Sequence, residues 1–478
     1  MESRGKGQLM ALQESDRLVI FGITGDLAKK MTLPSLYRLE RRGLLKVPVV
    51  TVASQPWTHE HLVAHTRECV EKAEGTIDEK VFARLAKRLS YVGGNFLDPD
   101  LYVNLKKALG KATAPTYYLE IPPSLFVKVA EQLHAADMTS GSARIVFEKP
   151  FGTSLSTAVE LNEKLHTMLR EEQIFRIDHY LGKEPVLDVV YFRFANQIFE
   201  PIWNAHYVDC IMVTMAEDFG VEDRGSFYDA VGTIRDVVQN HLLQVISLVT
   251  MEAPVKDMTG PRLSIFRAIP DADPKFMVKG QYEGYLKVPG VKPKSKTETF
   301  VALKLSIHNW RWGGLPVFIR AGKDMPVKAT EVVVRFKKLN PIYIGGRMRT
   351  SRWYDDIVFR LGADPGVTMG IRVKTPGHND VEPVELGVDF LKALGDTAPE
   401  PYELLLTSAM AGDHTLFPDQ SVEEETWRIV QPLLDDNSTP KKYKPGTWGP
   451  QEANDMVKSH GGWREPTCDS DDAEHKTP

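Results

Sequence analysis

Four side chains able to bind or move a proton are packed into Arg176–Lys183 (RIDHYLGK): Asp178, His179, Tyr180 and Lys183. His179 and Lys183 stand four apart, so on a helix both project from one face, where an imidazole donor and an ammonium point charge can grip a phosphate dianion. Asp178 then points elsewhere. Taken in isolation, the same charges cap a helix that continues through Val189–Phe194. A second imidazole, His241, stands in Asp236–Leu248, where Val237, Val238, Leu242, Leu243, Val245 and Ile246 leave few polar positions. A buried imidazole needs a partner to offset its lost hydration. It is either a satisfied core residue or a general base, and Asp236 begins the same segment.

A different chemistry is written into Leu18–Arg42. Leu18, Val19, Ile20 and Phe21 read as a buried parallel strand that breaks at once into Gly22, Thr24, Gly25, Asp26 and Leu27 and opens into a helix pattern. That is the geometry of a phosphate cradle: Gly22 and Gly25 let the backbone turn and approach a pyrophosphate, and Ala28 stands where helix and strand pack closely. A helix N-terminus then faces the anion. The spacing G-x-x-G-x-x-A by itself fits an ordinary strand-to-helix turn equally well. The end of the second strand, Val52-Ala53-Ser54-Gln55, carries neither an acidic residue for an adenosine ribose nor an arginine for a 2′-phosphate. Thr24 and Gln55 can bond a phosphate there, and Lys29 or Lys30 can add charge. Glu148–Gly152 (EKPFG) follows the apolar run Ile145–Phe147, which sets Glu148 and Lys149 at the carboxyl edge of the sheet, where ligands of open α/β sheets bind. As an isolated feature they are an exposed charge pair.

Four segments, GITGDLAKK (Gly22–Lys30), EKPFG, RIDHYLGK and RDVVQNHLLQ (Arg235–Gln244), occur in the order and wording of the glucose-6-phosphate dehydrogenase family, which this chain resembles from roughly residue 16 to 465. The resemblance implies a nicotinamide cofactor held by Gly22, Thr24, Gly25, Asp26, Leu27, Ser54, Gln55, Asn95, Phe96, Tyr118, Glu148 and Lys149. Asn95, Phe96 and Tyr118, judged singly, are packing residues. NADP is the favoured cofactor. NAD is the alternative, because Ser54 stands where NADP-using relatives show an arginine. The resemblance further implies a cis Lys149-Pro150 bond, a 6-phosphate held by His179, Tyr180 and Lys183, and sugar hydroxyls met by Lys149, Glu217 and Asp236. Lys323 and Lys328 match the family's lysines at the same site, though lysine is also the commonest solvated charge. His241 is then the general base, with Asp178 fixing its tautomer and stabilising the imidazolium.

The chemistry so implied is oxidation of C1 of β-D-glucose 6-phosphate to the 1,5-lactone, the first step of the oxidative pentose phosphate pathway, with no metal required. Two rivals have different signatures. An oxidoreductase acting on another sugar would not need the cationic RIDHYLGK cluster, and a regulatory protein that kept the fold without catalysis would show decay at the base or phosphate positions. Gly362 stands where some relatives carry a polar cofactor-contacting residue, which leaves a second nucleotide site open.

The elements that must position these groups fall into two textures. Up to about residue 175, apolar strand runs alternate with helical patterns, which argues for βαβ units and a parallel sheet. Strands are expected at Leu18–Phe21, Val47–Ala53, Ser90–Val92, Pro115–Leu119 and Arg144–Glu148, with helices at Asp78–Leu89 and Pro123–Leu133. Pro34 predicts a helix break, with Thr32 capping a segment that ends at Gly43. From Val190 onward, Tyr207–Met215, Thr297–Ile307, Val317–Ile319, Glu331–Phe336, Asp356–Leu361 and Val367–Val373 read as a large antiparallel sheet. Thr259–Lys296 reads as an excursion between its elements. The expected organisation is a flexible leader over 1–15, a Rossmann-like α/β domain over 16–177, an α+β domain over 178–463 for substrate and oligomerisation, and a polar, acidic, disordered tail over 464–478.

With 478 residues, 42% of them hydrophobic, the chain can bury a large core. A net charge of −5 and a pI near 6.3 provide no broad basic field for nucleic acid. No apolar run approaches the ~20 residues that span a bilayer, and Cys69, Cys210 and Cys468 lie far apart without metal-ligand spacing, which fits a reducing compartment better than a disulfide framework. The expected setting is the cytoplasm, the expected partner a small sugar phosphate, and the expected assembly a homodimer or homotetramer joined through the large sheet.

Overall fold

The computed structural model describes residues 13–344, 347–349, 354–394 and 398–466. The leader up to residue 12, the tail from residue 467 and Cys468 lie outside the described residues. The chain divides into two compact units, Met1–Gly182 with Pro399–Glu424, and Lys183–Ala398 with Glu425–Pro478.

The first unit is built on six parallel strands: β1 (Arg17–Phe21), β2 (Val49–Ala53), β3 (Leu89–Gly93), β4 (Pro115–Leu119), β5 (Arg144–Phe147) and β6 (Ile174–Arg176), in the order β3-β2-β1-β4-β5-β6. β2, β4 and β5 are buried along their whole length, as expected of a sheet with helices on both faces. The order reverses between β1 and β4, and in such sheets that switch point opens a crevice outside the carboxyl ends of the strands. The helices start where polar caps dictate. Thr58 accepts from the His61 N–H, Asp78 from the N–H groups of Lys80 and Val81, and Asp98 from that of Asp100.

Thr32 departs from its expected role. Helical backbone runs through it, a π-helical stretch Ala28–Thr32 leading directly into Leu33–Arg41, and its hydroxyl donates to Glu120 instead of capping. Pro34 is tolerated because it falls in the first turn after the wide stretch, where a missing N–H and a fixed φ cost least. Pro399–Glu424, which the sequence reading leaves with the later domain, packs in the first unit. The buried Arg144 guanidinium donates to the carbonyls of Ala409 and Met410 at 3.1 and 3.2 Å, and Arg42 pairs with the buried Glu403 at 3.1 Å.

The second unit carries β7 (Val208–Ala216), β8 (Met277–Tyr282), β9 (Phe300–Ser306), β10 (Pro316–Gly322), β11 (Ala329–Phe336), the ribbon β12 (Ile342–Ile344) and β13 (Arg347–Arg349), β14 (Asp356–Arg360), β15 (Gly366–Lys374), β16 (Val381–Asp389) and β17 (Lys441–Tyr443). Nine of them form one sheet in the order β16-β15-β14-β11-β7-β10-β9-β8-β17. It is antiparallel except at β7–β10 and β8–β17. Thr259–Lys296 is therefore no mere excursion, since it holds a helix, Thr259–Ala268, and the strand β8. A π-helical stretch, Ile234–Leu242, runs into the wholly buried helix Leu243–Thr250. Among the described residues, no helix is long and apolar enough to cross a membrane.

Candidate active site

Gly22 ends β1 with φ +88°, and a Cβ there would stand 2.1 Å from the Glu120 carbonyl oxygen, so only glycine fits. Its N–H donates to the Val52 carbonyl at 2.8 Å, and the Gly25 N–H folds back onto the Gly22 carbonyl at 2.8 Å. This is a tight turn at the switch point that feeds straight into helical backbone, and it fits a bound pyrophosphate. Over β2, Thr24 donates to Gln55 Oε1 at 3.0 Å and Ser54 reaches the same oxygen at 3.5 Å, so three expected cofactor residues meet. The hydroxyl of Tyr91 ties down the Gln55 carbonyl. Asp26 is largely solvent-exposed, 3.4 Å from Lys29. The Asn95 side chain accepts from the Leu97 N–H at 3.1 Å, while Phe96 packs edge-on against Phe21 in the core.

At the ends of β4 and β5 the Tyr118 hydroxyl donates to Glu148 Oε1 at 2.6 Å, and Tyr402 also reaches Glu148. Burial pushes the Glu148 carboxyl up, and these two hydroxyl bonds work against it. Glu120 leaves β4 beside them with its Oε1 bonded by Thr32. The Lys149-Pro150 bond is cis. Asp178 is buried, and its Oδ1 accepts from the Tyr180 N–H at 2.9 Å.

One expectation about RIDHYLGK fails. The helical spacing of His179 and Lys183 does not arise on a single helix: His179–Gly182 is one 3-10 turn, and Lys183 is extended, with φ −82° and ψ 121°, at the start of Glu184–Phe194. Gly182 stops the turn because it lies against the chain at Pro401, whose carbonyl oxygen would be 2.9 Å from a Cβ. The new helix then starts at Glu184, with Pro185 in its first turn, where a missing N–H costs least. Lys183 is the first residue of the second unit.

In that unit, parallel pairing sets Ala216 beside Gly322, so the next residues, Glu217 and Lys323, leave β7 and β10 together and form an ion pair. Lys323 is 2% exposed and lies 5.3 and 5.1 Å from the ring centres of Phe219 and Tyr228. Lys328 is exposed on the loop that follows. Asp236 and the buried His241 share the π-helical stretch, whose i→i+5 bonding brings residues five apart onto one face. The His241 N–H donates to the side chain of its own neighbour, Asn240, at 2.6 Å. Glu298 anchors the start of this stretch, its Oε1 accepting from the Ile234 N–H at 3.0 Å.

Comparison with known proteins places these features. The NAD binding domain model of glucose-6-phosphate dehydrogenase matches residues 19–188, and the C-terminal domain model matches residues 190–464. The chain belongs to the glucose-6-phosphate dehydrogenase family. "Glucose-6-phosphate 1-dehydrogenase 1" of Mycobacterium tuberculosis is 47% identical over 456 residues, covering 95% of this chain and 97% of the relative. A crystal structure of glucose-6-phosphate 1-dehydrogenase from Mycobacterium avium is 45% identical, with TM-score 0.86 over 95% of this chain and all of the other. A glucose-6-phosphate dehydrogenase solved in complex with its substrate glucose-6-phosphate is 32% identical, with TM-score 0.88 over 96% of this chain and all of the other. The Rossmann-like domain followed by a large, mainly antiparallel sheet is the family's architecture, as expected.

Three residues escaped the sequence reading: Glu120, Tyr402 and Glu298. Glu120 was within reach, because a polar residue directly after the apolar strand Pro115–Leu119 must stand at the carboxyl edge. Tyr402 and Glu298 come from distant segments, and nothing local marks them.

Proposed function

We infer that the chain is a glucose-6-phosphate 1-dehydrogenase, oxidising C1 of β-D-glucose 6-phosphate to 6-phospho-D-glucono-1,5-lactone. The observation that carries this is its similarity, along nearly its whole length, to a relative solved with glucose-6-phosphate as its substrate. Within that reading His241 takes the proton from the C1 hydroxyl as the carbonyl forms. Asp178 holds the imidazole in its tautomer and stabilises the imidazolium. His179, Tyr180 and Lys183 bind the 6-phosphate, and that remote binding energy fixes C1 in position. Glu217, Asp236, Lys149 and Lys323 orient the hydroxyls, with Lys328 at the rim. A nicotinamide dinucleotide, when bound, accepts the hydride from C1.

Gly22, Thr24, Gly25, Asp26, Leu27, Ser54, Gln55, Asn95, Phe96, Tyr118, Glu148 and Lys149 are assigned to that dinucleotide. NADP is the favoured partner, with Thr24, Ser54 and Gln55 as hydroxyl and amide ligands of the 2′-phosphate. The missing arginine at Ser54 supports NAD as the second reading. Exposed Val381, Val384, Leu386 and Val388 along β16 support self-association as a homodimer or homotetramer. Buried thiols at Cys69 and Cys210 that form no disulfide support a reducing, cytoplasmic setting. The test is initial rates of cofactor reduction with glucose 6-phosphate, comparing NADP with NAD, and with unphosphorylated glucose and His241→Ala as controls. Turnover that needs the phosphate and collapses in the variant is expected. Folded protein with no turnover on either cofactor would overturn the reading, and turnover indifferent to the phosphate would favour another sugar.

A further inference from the structure

Glu120 is a carboxyl at the switch-point crevice to which the proposed function assigns a dinucleotide. It is the first residue beyond β4, its N–H donates to the Phe21 carbonyl at 3.0 Å, and its own carbonyl lies against Gly22. It therefore lines the switch-point crevice from the side opposite the glycine turn. In a sheet of this order the adenosine lies toward β2 and the pyrophosphate over the β1 turn, so the nicotinamide half falls over β4 and β5. Thr32 holds Glu120 Oε1, whereas Oε2 is inaccessible to solvent and has no hydrogen-bond partner. A buried carboxyl oxygen left without a partner costs free energy unless something supplies one.

We propose that Glu120 is a cofactor-positioning residue that works as a neutral carboxyl, with one oxygen held by Thr32 and the other meeting the nicotinamide half of the dinucleotide. The proposal rests on the dinucleotide reading of this crevice. Neutrality follows from the surroundings. Tyr118 on β4, Thr32 on the first helical stretch and Tyr402 on Pro401–Ala411 contribute hydroxyls, and β5 contributes Glu148 and Lys149 at its end. Lys149 is the one cation among these groups, and its charge acts on Glu148. Burial pushes the Glu120 carboxyl up to about 8, the Glu148 carboxyl adds to this, and the nearby hydroxyls of Thr32 and Tyr118 oppose it, although the Tyr118 proton itself goes to Glu148. Tyr118 and Tyr402 are themselves pushed well above the ordinary tyrosine range and stay neutral. An ionised Glu120 would instead set a negative charge against the incoming pyrophosphate.

Calorimetric titration of NADP and NAD into the full-length protein, without sugar, between pH 7 and pH 9.5 tests this. Wild-type Kd is expected to hold steady and then rise about tenfold per pH unit above 8, as only the protonated form binds. Glu120→Gln keeps the shape and the Thr32 bond, and its Kd should stay flat. Should that variant fail to fold, Thr32→Val serves, because losing a bond that favours ionisation moves the wild-type rise to higher pH. A flat wild-type profile, or a Glu120→Gln profile that rises in parallel, would overturn the proposal. No binding of either dinucleotide at any pH would overturn the dinucleotide reading and the role of Glu120 with it.

Discussion

In the first unit the residues that leave neighbouring parallel strands β4 and β5, Glu120 and Glu148, are carboxyls set among hydroxyls. In the second unit the residues that leave the neighbouring parallel strands β7 and β10, Glu217 and Lys323, are an ion pair. Parallel strands end side by side, so each edge brings two successive-element side chains to one place, but the two edges handle charge in opposite ways. At the first, burial holds the acids toward the neutral form, which suits the dinucleotide proposed for that crevice, whose phosphates a nearby fixed carboxylate would repel. The second, in the proposed reading, meets sugar hydroxyls, which accept and donate without net charge and are oriented well by formal charges. Sheet geometry supplies the position, and burial decides which charge state stands there.

In the proposed reaction the charge that appears and vanishes during turnover falls to the second unit, on the π-helical stretch that carries His241. His241→Ala is expected to lower kcat by about 10²–10⁴-fold, the usual contribution of a general base. Initial rates measure it, with a thermal melt showing the fold intact. A variant with unchanged kcat would move the proton chemistry elsewhere and break the division of labour between the two units.

The acids of the first edge should leave a signature in stability. A carboxyl whose folded pKa is raised stabilises the folded state in full at low pH and loses that contribution as pH climbs through the folded value. For Glu120 the loss runs from its ordinary value, 4.5, to about 8. Glu120→Gln, always neutral, should therefore melt progressively higher than wild type as pH rises across that window, with the gap constant beyond it. A gap that stays constant across that window instead would show that Glu120 is ionised in the folded state and that both edges carry fixed charge. The second edge should behave otherwise: Glu217→Ala strands the Lys323 ammonium, 2% exposed, without its partner. Because Glu217 is itself partly exposed, the cost is expected to be about 2 kcal/mol, below the range for a fully buried pair, read as a lower unfolding midpoint of the second unit.

Much of this was legible in the sequence where a signal is local. Leu18–Phe21, Pro115–Leu119 and Ile145–Phe147 are continuous apolar runs because their strands are buried on both faces, and the turn at Gly22 announces itself because no other residue fits there. Expectations failed where tertiary packing overrides local pattern. Thr32 looks like a cap, yet Glu120, far along the chain, takes its hydroxyl. His179 and Lys183 have helical spacing, yet Gly182 is pressed against Pro401 and a new helix starts only at Glu184. The strand Val381–Asp389 stayed hidden because it is exposed along both faces and holds Pro383 and Gly387, so neither alternation nor a buried run marks it. The pairing of Glu217 with Lys323 could not be read at all, since it depends on which of nine strands lies beside β7.

The smallest expected effect is also the one that would bring the two edges closest in kind. Ser54, after β2, is exposed, and the amide and hydroxyl groups around it offer a 2′-phosphate hydrogen bonds without formal charge. Ser54→Arg would give that edge a planar cation whose donors match a phosphate in pairs. One added charge-assisted contact at an exposed site is expected to raise the NADP-over-NAD ratio of kcat/KM by about tenfold, close to 1.4 kcal/mol. Steady-state rates with each cofactor at saturating glucose 6-phosphate measure it, and the gain should appear in the KM for NADP with kcat unchanged, because the 2′-phosphate is remote from C1 in both ground and transition states. If NADP is not favoured by the variant, the phosphate does not lie over β2, and Lys29 and Lys30 on the neighbouring helical stretch become the cations to substitute next.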